Sequence, residues 1–430
     1  KKFISMSPWL STHQLLPLVL TAAAPLMASA AVVSSTVSTW SIDTASAALR
    51  GISVRTSSRP YLLDEEPGSE GVWHNLMLGT ALVLEARSLR ALGELDAASQ
   101  SLATADRLAS ELHQLNYREG ICTSSGVRES AANMALSKPI ADAGREPQFD
   151  QPSQGLRCSS IAAALIMNTF LAEDLPDASH ITERSEVLAK NFVDLFFDSS
   201  KGNFRPIAGQ DVHDDAPWRA VDQAMAILAC KRLEKLDLFN RFHARTMAAS
   251  AAESLLVDFG FSAFSSASSG NPACERSPMG PEPSRARNSW HEAIVCFALL
   301  STRALGSGGE SALQLVNNMR TSYECGDGLL AHLPSREWNT AHSEQLIYIG
   351  TQAVWSAALR AANADIGSED DAHSRRSLDR GMHENAFRLF CADNIRDGLL
   401  PVSNLHDEIR LWPNAQLATW LLLEPMDFLQ

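Results

Sequence analysis

The sequence predicts an all-α fold, an (α/α)6 toroid of six helical hairpins in two concentric rings with short β-hairpin turns between helices. Three observations predict it: a recurring helix that is apolar on every face, a more polar helix alternating with it, and a small glycine-bearing turn between the two.

The first element recurs six times, at Val72–Leu89, Ser159–Leu171, Trp218–Leu233, Trp290–Leu305, Tyr348–Ala362 and Trp412–Leu423. The starts lie about 60–85 residues apart, a longer period than a solenoid repeat. Each segment stays apolar or small for three or more turns, as helices buried on all sides do. The second element carries one apolar stripe. In Ala97–Leu115 it is Leu102, Ala105, Leu108 and Leu112; Ile181–Phe196, Leu238–Val257, Ser311–Met319 and Arg376–Phe390 are similar. The region Thr44–Leu49 supplies the first of these outer helices. The third element is a turn such as Phe197–Phe204, Asp327-Gly328-Leu329 or Asp397-Gly398-Leu399, where Asp-Gly provides positive φ. A linear solenoid would leave every helix half exposed, and a four-helix bundle has no use for six buried ones. Two closed rings satisfy the pattern over residues 40–430.

Composition narrows the function. With 50 Asp and Glu against 36 Lys and Arg, the net charge of −14 argues against a nucleic-acid partner, which needs a basic face. The seven cysteines form no CxxC pair and describe no disulfide scaffold. No HExxH or close His/Cys set marks a metal site, and no glycine-rich phosphate loop marks a nucleotide cofactor. At the N-terminus, Lys1 and Lys2 precede the apolar stretch Leu15–Met27, which ends in Ala28-Ser29-Ala30. That layout predicts a targeting segment over residues 1–30 and an exported or organelle-lumen protein with no membrane span in its mature chain; a cytoplasmic location is the alternative.

Candidate site residues collect where the apolar helices begin. The polar groups are His74 and Asn75, Asp222 and Gln223, His291 and Glu292, Thr351 and Gln352, Asn414 and Gln416. Beside them stand Trp73, Trp218, Trp290, Tyr348 and Trp412. Ring closure points such groups at one central funnel, and the two longest loops, Ile121–Cys158 and Ser262–Asn288, lead into the same end. Aromatic faces beside hydrogen-bonding groups suit the apolar face and equatorial hydroxyls of a sugar. Each group also has a structural reading. Ser289-Trp290-His291-Glu292 matches a capping box, and Asp222 is a first-turn carboxylate facing a helix dipole. Two further clusters, His213-Asp214-Asp215 and His342 with Glu344, precede apolar helices and compete for the role.

These helix starts, above all Trp218-Arg219-Ala220-Val221-Asp222-Gln223 and Trp290-His291-Glu292-Ala293, resemble the six-hairpin glycosidase superfamily. Within it the likeness is to the N-acylglucosamine 2-epimerase family and to the toroid domain of thioredoxin-domain-containing proteins. The resemblance implies a carbohydrate substrate. It implies Asp222 and Glu292 as an acid–base pair of a glycoside hydrolase-like enzyme, with His291 assisting. Trp73, His74, Asn75, Trp218, Gln223, Trp290, Tyr348, Gln352, Trp412 and Asn414 would contact the sugar. The epimerases of that family use two histidines, so His291 with His74 or His342 gives a second reading, sugar 2-epimerisation. Asn414 stands where the second family histidine is expected, and an amide cannot exchange a proton. A non-catalytic sugar- or protein-binding toroid is the third reading.

Overall fold

The computed structural model describes residues 37–56, 69–116, 156–208, 218–236, 241–261, 275–276, 283–284, 288–303, 309–325, 328–332, 346–364, 371–405 and 407–428. The expected targeting segment, His213-Asp214-Asp215, His342 with Glu344, and most of the two long loops lie outside these residues.

Twelve α-helices are present among the described residues. The even-numbered ones are the apolar helices of the sequence pattern: α2 Ser69–Ala91, α4 Cys158–Asp174, α6 Ala220–Leu236, α8 Ser289–Ser301, α10 Ile349–Asn363 and α12 Leu411–Leu422. The odd-numbered ones are the striped helices: α1 Thr39–Arg55, α3 Leu95–Asn116, α5 Ser179–Phe196, α7 Arg241–Val257, α9 Gly309–Tyr323 and α11 Asp371–Asn394. Helix α1 is far longer than the Thr44–Leu49 stretch expected, because Ser38 caps its start by accepting from the Ser41 N–H.

Each even-numbered helix packs on the next, and α12 returns to pack on α2. Thr419 Oγ1 donates to the Met77 carbonyl at 2.7 Å across this closing contact. The odd-numbered helices form the outer ring: α3 lies on α2, α5 on α4, α7 on α6, α9 on α8, α11 on α10, and α1 on α12. Inner helices are buried on every side; α4 is buried without a break from Ser160 to Leu171. Alanine and glycine let them approach closely. A Cβ on Gly79 would stand 2.2 Å from Met167 Sδ on the next inner helix.

Short strands join outer to inner helices. β2 Phe197–Asp198 and β3 Asn203–Phe204 form the hairpin expected after α5. β1 Leu156–Arg157 pairs with β4 Ile207–Ala208; β5 Trp218–Arg219, β6 Glu275–Arg276 and β7 Pro283–Ser284 make a three-stranded sheet. Trp218 and Arg219 were expected to open an inner helix. They are a strand instead, because their backbone pairs with Arg276 and Glu275 and the helix begins at Ala220.

At the other end, the C-termini of α2, α4 and α6 meet in an ion network. Arg232, whose side chain is fully buried, donates to Glu173 at 2.7 Å and to the Asp427 carbonyl at 3.0 Å, with Phe170 beneath its guanidinium at 3.9 Å. Arg360, also fully buried, donates to the carbonyls of Trp420, Leu421 and Leu423, which the end of α12 would otherwise leave unpaired.

Candidate functional site

The starts of the inner helices surround one cavity of about 500 Å³. Its lining follows a register. The residue just before a helix faces it in four units, as Arg219, Asn288, Tyr348 and Arg410. The second helical residue faces it in five, as Ser159, Val221, Trp290, Gly350 and Trp412. The third does so in four, as Ser160, His291, Thr351 and Pro413. Helix α2 starts one turn earlier, and there Trp73 and His74 take the second and third places.

The fourth residue, about 100° further round the helix, turns away from the cavity. It holds the preceding turn in place. Gln223 accepts from the Phe204 N–H at 2.9 Å and donates to the Phe204 carbonyl. Gln352 does the same with Leu330 at 3.0 and 2.8 Å, and Asn414 with Leu400 at 2.9 Å for each bond. One amide side chain thus clamps one backbone residue in three of the six units. Glu292, in the same register, accepts from the Tyr323 hydroxyl of α9 at 2.7 Å. Asn75 is fully buried and does not line the cavity.

The sequence candidates therefore divide. Trp73, His74, Trp290, His291, Tyr348 and Trp412 are brought together around the cavity. Asn75, Gln223, Glu292, Gln352 and Asn414 lie behind that wall. Asp222 is the one third-position residue that does not line the cavity. It is 1% exposed, and its Oδ1 accepts from the Ser159 N–H at the start of α4, so it caps the neighbouring helix. Trp218 is buried outside the lining, with Lys201 Nζ 4.9 Å above its ring. The capping-box reading of Ser289 to Glu292 gives way to Asn288, whose Oδ1 accepts from the His291 N–H at 2.8 Å.

Several lining residues were not singled out from the sequence: Arg219, Asn288, His332, Glu408 and Arg410. Arg219, Asn288 and Arg410 share the register of Tyr348, one place before their helices, and that register was the signal available. His332 has no such signal. It sits between units, its carbonyl accepting from the Ser289 N–H at 3.0 Å and its N–H donating to the Leu346 carbonyl at 2.8 Å.

The wall is aromatic and its histidines are neutral. The His74 ring stacks on Trp412 with centroids 4.6 Å apart and planes 12° apart. Burial takes its pKa down to about 3. His291 is also pushed down to about 3, by burial first and then by the charge of Arg219 and by His332. Burial lowers His332 as well. The Asn288 amide Nδ2 lies 3.1 Å from His291 Nδ1 and can only donate, so Nδ1 accepts and the ring proton sits on Nε2. Among the described residues, Trp73 Nε1, Trp290 Nε1, His74 Nδ1, His332 Nδ1 and Thr351 Oγ1 find no hydrogen-bond partner. A buried polar atom without a partner costs about 1–3 kcal/mol, so such a set at one cavity points to a polar ligand. No group of three His, Cys, Asp or Glu among the described residues is placed to hold a metal ion.

No family model and no curated protein matches this chain in sequence. Solved structures do match. An unsaturated glucuronyl hydrolase specific for heparin superposes with a TM-score of 0.58 at 11% identity, covering 89% of this chain and 96% of that one. Cellobiose 2-epimerase from Bacillus thermoamylovorans gives 0.57 at 10% identity, covering 89% and 98%. The GH76A α-1,6-mannanase from Salegentibacter gives 0.55 at 11% identity, with the same coverage of 89% and 98%. These likenesses bear out the expected fold, an (α/α)6 toroid.

Proposed function

We propose that the chain is a carbohydrate-active enzyme whose sugar occupies the cavity at the starts of the inner helices. One observation carries this: three indoles and a phenol ring line a cavity whose wall also presents five polar atoms without partners among the described residues. Flat apolar faces would take the C–H face of a pyranose, and the unpaired groups would take its hydroxyls. The structural neighbours named above include both hydrolases and an epimerase, which supports the class and leaves the reaction open.

The lining favours proton transfer over hydrolysis. His74, His291 and His332 are on the wall, whereas Asp222 and Glu292 lie behind it. His291 carries its proton on Nε2 and would hydrogen-bond a sugar carbonyl oxygen, stabilising the negative charge that builds there as the neighbouring carbon loses its proton. His74 or His332, whose Nδ1 finds no partner among the described residues, would in its Nε2-protonated tautomer accept the proton from the carbon beside that carbonyl. Return of a proton to the opposite face of that carbon gives the epimer, and return to the neighbouring carbon the isomer. Hydrolysis by Asp222 and Glu292 is the second reading. It is supported by the register of Asp222, which in four other inner helices, and in the equivalent place of α2, faces the cavity.

Incubating the purified chain with a panel of reducing sugars and glycosides in D2O separates the two. Deuterium uptake at carbon without bond cleavage, lost in His291→Asn, supports proton transfer. Glycoside cleavage lost in Asp222→Asn would replace it with the hydrolytic reading. Binding with neither reaction would leave a non-catalytic sugar-binding toroid. Residues 1–30 are proposed as a targeting segment, to be checked by fusing them to a fluorescent reporter and locating it.

A further inference from the structure

We infer that Asn288 is a positioning residue, which makes His291 a hydrogen-bond donor on the cavity wall by keeping its ring proton on Nε2; the consequence for turnover rests on the proton-transfer reading above. Asn288 bonds one residue twice. Its Oδ1 accepts from the His291 N–H at 2.8 Å, and its Nδ2 lies 3.1 Å from Nδ1 of the same residue's ring. The backbone N–H can only donate, so it settles which end of the amide is oxygen. The other end meets Nδ1 as a donor. The proton of a neutral imidazole goes to the nitrogen that is not accepting, so one amide fixes both the orientation and the tautomer of the ring. His291 lines the cavity and is partly exposed, and Nε2 is its remaining hydrogen-bonding site.

Capping alone does not call for asparagine. Asp, Ser and Asn cap a helix about equally well. A carboxylate can only accept, however, and would draw the ring proton onto Nδ1. The position itself does not demand a cap either: Tyr348 and Arg410, in the same place before α10 and α12, make no side-chain cap bond.

The surroundings make the tautomer matter. Burial, then the charge of Arg219 and His332, hold the ring neutral down to about 3. The Trp290 ring covers it at 5.0 Å between centroids, and the adjacent Glu292 carboxylate is turned to the Tyr323 hydroxyl. A neutral imidazole has one N–H, and only the Nε2 tautomer presents it away from Asn288.

Nitrogen NMR of the full chain labelled at histidine reads the tautomer, with His291→Asn to assign the signal. At about pH 7 the His291 ring should show a protonated Nε2 and an unprotonated Nδ1. Asn288→Asp keeps the cap and should move a proton onto Nδ1; Asn288→Ser keeps a cap oxygen without the donor and should give a mixture. Circular dichroism should be unchanged in both. A protonated Nδ1 in the unaltered chain, or an unprotonated one in Asn288→Asp, overturns the inference.

Deuterium exchange into a sugar that the chain turns over gives the second readout. In Asn288→Asp the Nε2 proton is present only in the imidazolium. Its kcat, relative to the unaltered chain, should therefore fall about tenfold or more as pH rises from about 6 to about 9. A saturation-transfer NMR titration with the same sugar should give a Kd within about threefold of the unaltered chain's. A rate lowered equally at every pH would mean that Asn288 serves the fold alone, and overturns its part in turnover. Exchange into none of the sugars overturns the proton-transfer reading, while the ring signals still decide whether Asn288 sets the tautomer.

Discussion

His74 and His291 are the residues at which burial shows most clearly in the chemistry. In the unfolded chain each titrates near the ordinary 6.5; in the folded chain each stays neutral down to about 3. Between those values the unfolded state binds protons that the folded state does not. Their contribution to stability is therefore full above about pH 6.5 and is lost as pH falls toward about 3. The urea midpoint should drop between about pH 7 and about pH 4.5, and His74→Gln should reduce that drop. An identical drop in the variant would mean that His74 titrates normally in the folded protein. Neither residue's neutrality is legible in the sequence, since each depends on what covers the ring: Trp412 for His74, Asn288 and Arg219 for His291.

At the scale of elements, the amide clamp joins three of the inner helices, α6, α10 and α12, to the turns before them. Gln352→Leu would leave the buried N–H and carbonyl of Leu330 without the amide that pairs them, at a cost of about 2–4 kcal/mol. The same bonds hold the segment that leads to His332, so sugar binding should weaken along with stability. Urea unfolding and the NMR titration read the two effects. A cost below about 0.5 kcal/mol would show that the clamp is dispensable. The sequence marks Gln223, Gln352 and Asn414 as repeating polar groups, and the repetition is correct. Their direction was not legible, because third and fourth helical positions differ only by a rotation of about 100° relative to an axis that exists once the ring has closed. The Asp-Gly turns were legible: Asp397 and Gly398 both have positive φ, and a Cβ on Gly398 would meet the Ala47 carbonyl oxygen at 2.5 Å.

For the whole molecule, closure is the central fact. Helix α12 completes the inner ring by packing on α2, and α1 lies against α12. A chain truncated after Leu405 would expose the apolar faces of α2, α10 and α1 together. It should lose its cooperative thermal transition rather than lose stability in proportion to length, as a solenoid would. Calorimetry checks this; a cooperative melt in the truncated chain would show that the ring is not one folding unit. Among the described residues no helix is long and apolar enough to cross a membrane, although inner helices such as α4 are apolar on every face. Their apolar surface is instead covered by two inner neighbours and one outer helix.

The sequence by itself determined the two rings. Apolar residues on every face demand burial, one apolar stripe demands a half-wet position, and six alternations of the two leave closure as the economical arrangement. It also marked, at the inner-helix starts, six residues that line the one cavity described above: Trp73, His74, Trp290, His291, Tyr348 and Trp412. Only the tertiary structure decided which polar groups face the cavity. It put Asp222 on the cap of α4 and Glu292 on Tyr323, and it brought in Arg219, Asn288, His332 and Arg410. The physical reason is that periodicity reports how much of a helix is buried, whereas the direction of one side chain depends on how far each helix is rotated against its neighbours. That rotation is set by packing between residues distant in the chain, which local pattern does not record.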